Sequence, residues 1–149
     1  MPFQKVLPLV LCLWSLACLS SSSLRPNERE VKLPNGTTVV VELLTQPEDM
    51  ARGMMYRDSL APERGMMFAH NSPGRYPYWM HNVKIPLDII WLDRNRTVVE
   101  ISAQTPPCNE KPAAECPAYG GKQESLFVLE LAGGMATRYN ITEGTKLDF

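Results

Sequence analysis

The sequence predicts a mainly β (α+β) domain, a compact antiparallel barrel-like sheet of about seven short strands with one or two short helices. Short β-favouring runs recur along the chain between clusters of Gly, Pro, Asn and Asp, which is the spacing of a mainly antiparallel architecture. Asn35-Gly36 lies between two such runs and is the strongest short hairpin signal a sequence can carry. No glycine fingerprint follows a strand ahead of a long helix, and no heptad or internal repeat occurs, so a doubly wound sheet is set aside. Closure into a barrel is expected because short strands otherwise leave unpaired edges.

The elements follow in order. Val31-Lys32-Leu33 and Thr37 to Leu43 form the first hairpin around Pro34-Asn35-Gly36. Thr45-Gln46-Pro47-Glu48 reads as a capping box, with Thr45 as N-cap and Glu48 three residues on, and opens a helix to Met54 that Gly53 weakens at its end. Arg57 to Arg64 is loop, and Gly65 leads into the apolar run Met66-Met67-Phe68-Ala69. Asn71-Ser72-Pro73-Gly74 is a turn by composition. Tyr76 to His81, Asp88 to Leu92, Thr97 to Ile101 and Ser125 to Leu131 read as strands, the second and third joined by the tight turn at residues 93–96. Pro86 predicts an edge or a bend. Gly133-Gly134 turns the chain into a short helix ending at Tyr139, and a last strand lies around Thr145 to Leu147.

A chain of 149 residues suffices for one domain with its own core and is too short for two of ordinary size. Its formal charge of −1 supplies no basic stripe for nucleic acid and no polybasic segment for an anionic membrane surface. Lys5 followed by the apolar run Val6 to Leu19 and small residues reads as an export signal, too short to span a bilayer comfortably. The expected division is a signal peptide at 1–17, a polar linker at 18–29 and a single globular domain at 30–149. Trp14-Ser15-Leu16-Ala17-Cys18 is similar to a bacterial lipoprotein signal, which would make Cys18 the acylated first residue and the only tie to a membrane; an ordinary cleavage after Ala17 is the alternative. Either way the exported protein belongs to the periplasm or cell envelope. Three Asn-x-Thr sequons, at Asn35, Asn95 and Asn140, would matter only in a eukaryotic secretory pathway.

With Cys12 in the signal and Cys18 at its end, Cys108 and Cys116 remain in the domain and are expected to form a disulfide in an oxidising compartment. A two-thiolate metal site is the alternative, but no nearby His or second Cys pair completes a tetrahedral set.

The phrases ARGMMYRDSL, RGMMFAH, YPYWMHNVKIPLDIIWLD, TPPC, CPAYG and VLELAGGMATRYNI resemble the successive motifs of domain-of-unknown-function family 192, also called UPF0127. The resemblance runs from about Thr37 to the C-terminus and implies a small, mainly β, exported or lipid-anchored domain; it supplies no activity. The family usually carries a Lys in the phrase written here Trp79-Met80-His81-Asn82, so His81 is this chain's own variation.

Charged and polar residues set inside apolar phrases are the candidate site, since a charge within a hydrophobic run must be paired or functional. They are Arg52, Arg57, Trp79, Asn82, Asp88 and Glu130. One reading is structural, with Arg52 or Arg57 pairing with Asp88 to lock helix to sheet. The other is a cleft in which the two Arg forks hold a carboxylate or phosphate while Trp79 or Tyr78 supplies a stacking wall. Asp88 and Glu130 also raise an envelope hydrolase working by general acid and base, for which spacing gives no support. Met54, Met55, Met66, Met67 and Met80, with His70 and His81, are soft donors of the kind that hold Cu(I). Adjacent Met pairs in a strand point to opposite faces and Met is ordinary core filler, so packing is their expected role. No catalytic motif is complete and no metal or cofactor is expected. The leading expectation is non-enzymatic binding of a small molecule or an envelope protein.

Overall fold

The computed structural model of the chain describes Met1 and residues 24–149; the signal, Cys18 with its expected acylation, and the linker up to Ser23 lie outside the described residues. β1 (Glu28–Lys32) and β2 (Thr38–Leu44) form the antiparallel hairpin that Asn35-Gly36 predicts, with Gly36 at φ 85° in the turn. Asn35 Oδ1 accepts the Thr37 amide at 3.0 Å, the local bond that makes Asn a turn former. The short helix α1 (Pro47–Arg52) follows, and its N-cap is Gln46 with no side-chain cap, not Thr45. The capping box therefore does not form; the Thr45 hydroxyl accepts from Gln46 Nε2 at 3.3 Å instead.

α1 and the loop after it carry the chain across to β3 (Arg64–Gly74), which pairs with β2 in parallel. A parallel neighbour needs such a crossover, and this one pair makes a sheet mixed that is otherwise antiparallel, in keeping with the mainly antiparallel architecture expected. β3 also runs through Asn71-Ser72-Pro73-Gly74, where a turn was expected. Its register with the neighbouring strand shifts between Ala69 and Gly74, so these turn-forming residues make an irregular, bulged strand end, where a missing amide donor at Pro73 is tolerated.

Of the strand expected over Tyr76 to His81, only Tyr78–Trp79 (β4) is extended; it pairs with Ala118–Tyr119 (β7) in a separate two-stranded sheet. β5 (Leu87–Leu92), β6 (Val98–Thr105) and β8 (Ser125–Ala132) complete the main sheet, and α2 (Met135–Arg138) follows β8. The strand order is β1-β2-β3-β8-β5-β6.

This sheet is open rather than closed into a barrel. Its edges, β1 and β6, form no ladder with each other. The C-terminal segment, expected as a last strand, makes single bridges instead, Lys32 with Asp148 at one edge and Thr97 with Lys146 at the other. It covers the edges without closing the ladder.

Period-2 alternation sends apolar residues to both faces. One face buries Val39, Val41, Met67, Ile90, Leu92, Leu129 and Leu131 beneath α2 and the C-terminal residues Tyr139, Ile141 and Leu147. The other buries Met66, Phe68, Ile89, Trp91 and Val128 beneath Met54, Met80, Val83 and Cys108. Trp91 is held in place by its Nε1, which donates to Tyr76 O at 2.8 Å, and Gly120 passes so close to the indole that any Cβ there would overlap it. Cys108 and Cys116 are disulfide-bonded, which sets aside the two-thiolate metal site.

Candidate functional site

Between α1 and the segment 76–83, on the second face, lies a cleft of about 260 Å³. Its lining includes Met50, Arg52 and Met54 from the helix side, Phe68 and His70 from β3, and Tyr76, Tyr78, Trp79 and His81 from the opposite wall. Gly53, at φ 44°, lets α1 end over this cleft; a Cβ there would sit 3.1 Å from the Phe68 ring. Trp79 is 45% exposed, which for so large an apolar side chain marks an open wall. The rings are mutually fixed: Phe68 meets Tyr78 edge to face at 5.0 Å, and His70 stacks flat on Tyr76 at 3.5 Å. His70 Nε2 and the Tyr78 hydroxyl share a hydrogen bond at 3.2 Å. Burial holds the His70 imidazole below its ordinary value and pushes the Tyr78 phenol well above its own.

Glu130 also lines the cleft. It is 4% exposed, and its Oε2 has no hydrogen-bond partner among the described residues. Burial raises its carboxyl to about 8, against a weaker opposing pull from Arg57. Arg57 does not pair with it directly. Its fork is taken by Glu42, bidentately at 2.6 and 2.8 Å, which holds Glu42 below the usual carboxylate range. Registers explain the grouping: Glu42 lies beside Met66, Met66 beside Glu130 and Glu130 beside Ile89, one row across the same face of the sheet.

The other candidates separate. Asp88 precedes Ile89 on β5 and therefore faces the opposite side, fully buried. Its Oδ2 accepts from Ala136 N at 2.6 Å and its Oδ1 from Gln104 N at 2.7 Å. Asp88 thus supplies from a distance the cap that α2 lacks in its own sequence, because Gly134 at its N-cap has no side chain. The lock between Asp88 and Arg52 or Arg57 does not form. Nor can Asp88 and Glu130 act as a hydrolytic pair, since they lie on opposite faces of one sheet.

Asn82 is a joint rather than a lining residue. It adopts φ 58°, a left-handed conformation that Asn tolerates better than most residues. Its carbonyl accepts from Tyr56 N, its amide N–H donates to Cys108 O, and its Nδ2 donates to the Tyr56 hydroxyl. It ties the loop after α1 and the disulfide loop to the cleft wall. Arg52 is exposed at the lip and makes no ion pair among the described residues.

The structure thus brings Arg52, Trp79 and Glu130 to one cleft, places Arg57 behind it, uses Asn82 to hold its wall, and removes Asp88 to the far side. Glu42 and Tyr76 were not among the expected site residues, and Phe68 is both buried in the core and part of the cleft lining. Glu42 alternates with Val41 and Leu43, the same signal that flagged Asp88 and Glu130. Four of the five methionines pack as expected: Met66 and Met67 enter opposite cores, and Met54 and Met80 are buried, whereas Met55 is half-buried and lines the cleft. Among the described residues no group of three or more His, Cys, Asp or Glu is placed to hold a metal.

Two solved structures share this fold. A protein of unknown function from Novosphingobium aromaticivorans is 32% identical over 85% of this chain and 91% of its own, with a TM-score of 0.72. A protein from Sinorhizobium meliloti described as a presumed transcription regulator is 27% identical over 80% of this chain and 89% of its own, with a TM-score of 0.69. No curated protein matches the chain. The family model described as "Uncharacterized ACR" matches residues 30–149, from the first strand to the last residue, and the chain belongs to domain-of-unknown-function family 192.

Proposed function

We propose that the protein is an exported, non-enzymatic binding domain of the cell envelope that takes a small molecule with an apolar or aromatic body in the cleft between α1 and residues 76–83. The observation that carries this reading is the lining itself, four aromatic rings beside a buried carboxyl in a cleft of about 260 Å³. Concave, mostly apolar sites with a few convergent polar groups are the usual form of a small-molecule site. Rings packed against one another need little reordering when a ligand stacks on them. The purified chain is tested by thermal shift against metabolites, glycans and metals, because a ligand that binds only the native state raises its melting temperature by mass action. Trp79→Ala should abolish any shift that arises in the cleft. If no compound stabilises the protein, or if the shifts survive in W79A, the cleft is not the site.

Export and acylation at Cys18 rest on the sequence of residues 1–23. Mass spectrometry of the mature protein from a bacterial host should find a lipid-modified Cys18, and a free N-terminus there would leave export without an anchor. The regulator description of the Sinorhizobium protein gains no support here from a chain of formal charge −1 without a basic stripe.

A further inference from the structure

We propose that the ligand of this cleft carries a primary ammonium group, for which Glu130 is the counter-charge and the rings of Phe68, Tyr76, Tyr78 and Trp79 form the walls. This inference rests on the reading of the cleft as a binding site and names its chemistry.

The argument is a charge inventory of the cleft. Glu130 is the one carboxylic acid in the lining, and its Oε2 is buried without a partner among the described residues. A buried carboxyl left unpaired is costly, and such groups persist where something else uses them. Arg57, the guanidinium whose charge acts on Glu130, is already claimed at both terminal nitrogens by Glu42 on β2. Across the cleft Tyr78 is engaged with His70, and His70 is stacked on Tyr76. The remaining titratable groups of the lining are His81, whose ring lies 5.1 Å from that of Trp79, and Arg52 on α1. No group among the described residues therefore hydrogen-bonds Glu130 Oε2, which leaves that oxygen free for an incoming donor.

The walls narrow the choice of donor. Ring faces attract cations, by an amount that grows as water is excluded. An anion could pair with Arg52 at the exposed lip, but it would meet the buried, unpartnered Glu130 carboxyl inside, while Glu42 is already paired with Arg57. A neutral alcohol could satisfy Oε2 but would gain nothing from the ring faces. An ammonium satisfies both, and its three donors suit a carboxylate oxygen better than a single hydroxyl does.

Because Glu130 is protonated over much of the neutral range, the exchange is balanced by one proton. The acid O–H is lost, its proton passes to solvent, and the carboxylate pairs with the ammonium. Affinity for a cation should then rise about tenfold per pH unit below pH 8 and level off above it. Of the groups around Glu130, burial disfavours the charged forms of both His70 and Tyr78, Arg57 with Glu42 stays an ion pair, and Arg52 keeps its charge, so the slope that E130Q removes is Glu130's and any that it leaves belongs to His81 in the same lining.

The test is calorimetry with three probes of matched shape, benzylammonium, benzyl alcohol and benzoate, on the full chain between pH 6 and 8. The expected result is that benzylammonium binds most tightly, with the tenfold pH slope and close to one proton released per ligand at pH 7 in buffers of different ionisation enthalpy. E130Q should lose this preference while W79A weakens all binding. Equal binding of the alcohol and the amine at pH 8, benzoate binding best, or no proton release from the wild-type protein would each overturn the ammonium assignment. Any of these with Trp79-dependent binding still leaves the cleft as a site. Binding by none of the three probes also overturns the assignment, and the broader thermal-shift panel then decides separately whether the cleft binds anything.

Discussion

Glu130 and Asp88 show how differently two carboxyls in near-identical sequence surroundings can be used. Both are flanked by Leu or Ile, yet one meets two backbone amides and the other none. Removing Asp88 leaves the buried amide of Ala136 and the part-buried amide of Gln104 without their partner, so Asp88→Ala should cost about 3 kcal/mol in denaturant unfolding. Arg52→Ala removes an exposed side chain without an ion pair and should change stability by less than about 0.5 kcal/mol. If R52A destabilises as much as D88A, the assignment of Asp88 as the structural residue of the two fails. Glu130 makes stability depend on pH in a defined window. Its carboxyl lies at 4.5 when unfolded and about 8 when folded, so the native state holds the proton more tightly. The stability contributed by that proton is complete below 4.5 and is lost as pH rises toward 8, by at most about 1.4 kcal/mol per unit. The difference between wild type and Glu130→Gln, measured by urea unfolding from pH 4 to 9, should carry this slope. A difference independent of pH would place the proton elsewhere.

Among the elements, the disulfide loop matters more for what it holds than for the ring it closes. Cys108 N donates to Met80 O, and Asn82 N donates to Cys108 O, so the loop is stitched to the segment that carries Trp79 and His81. Closing so short a ring should be worth about 2.5 kcal/mol of chain entropy. Reduction, or Cys116→Ser, should therefore lower stability by that amount and also weaken any ligand of the cleft. Loss of stability with ligand affinity unchanged would show that the wall stands without its stitch. The hairpin at Asn35-Gly36 and strands β5 and β8 were legible because turn chemistry and apolar runs are local properties. The extension of β3 through Asn71 to Gly74 was not, because a bulge is stabilised by its neighbours and not by its own residues. The failed cap at Thr45 has the same origin: Thr45 favours a cap in general, but here its hydroxyl bonds Gln46 and α1 begins uncapped.

The six-stranded sheet carries a core on each face, and the cleft belongs to only one of them. Leu147 is 2% exposed in the core on the far face, beneath the C-terminal segment. Leu147→Ala should cost about 2–5 kcal/mol while leaving affinity at the cleft unchanged, since it shares no partner with the lining. A parallel fall in affinity, measured well below the melting temperature, would mean that the two faces are coupled. The openness of the sheet has its reason at this scale too. The edges are shielded by single bridges from residues 146 and 148, so the barrel expected from short strands is unnecessary.

The sequence by itself determined the family, the mainly β class, the first hairpin, the pairing of Cys108 with Cys116, and the short list of polar residues embedded in apolar runs. These depend on local turn preferences, period-2 alternation and ordered motifs, all written along the chain. Only the tertiary structure decided which of those residues share a site. Asp88 and Glu130 look alike in sequence, but strand registers put them on opposite faces, and a register is fixed by partners far away in the chain. The same registers set Glu42 beside Glu130's row and gave it Arg57, leaving Glu130 alone in an aromatic cleft.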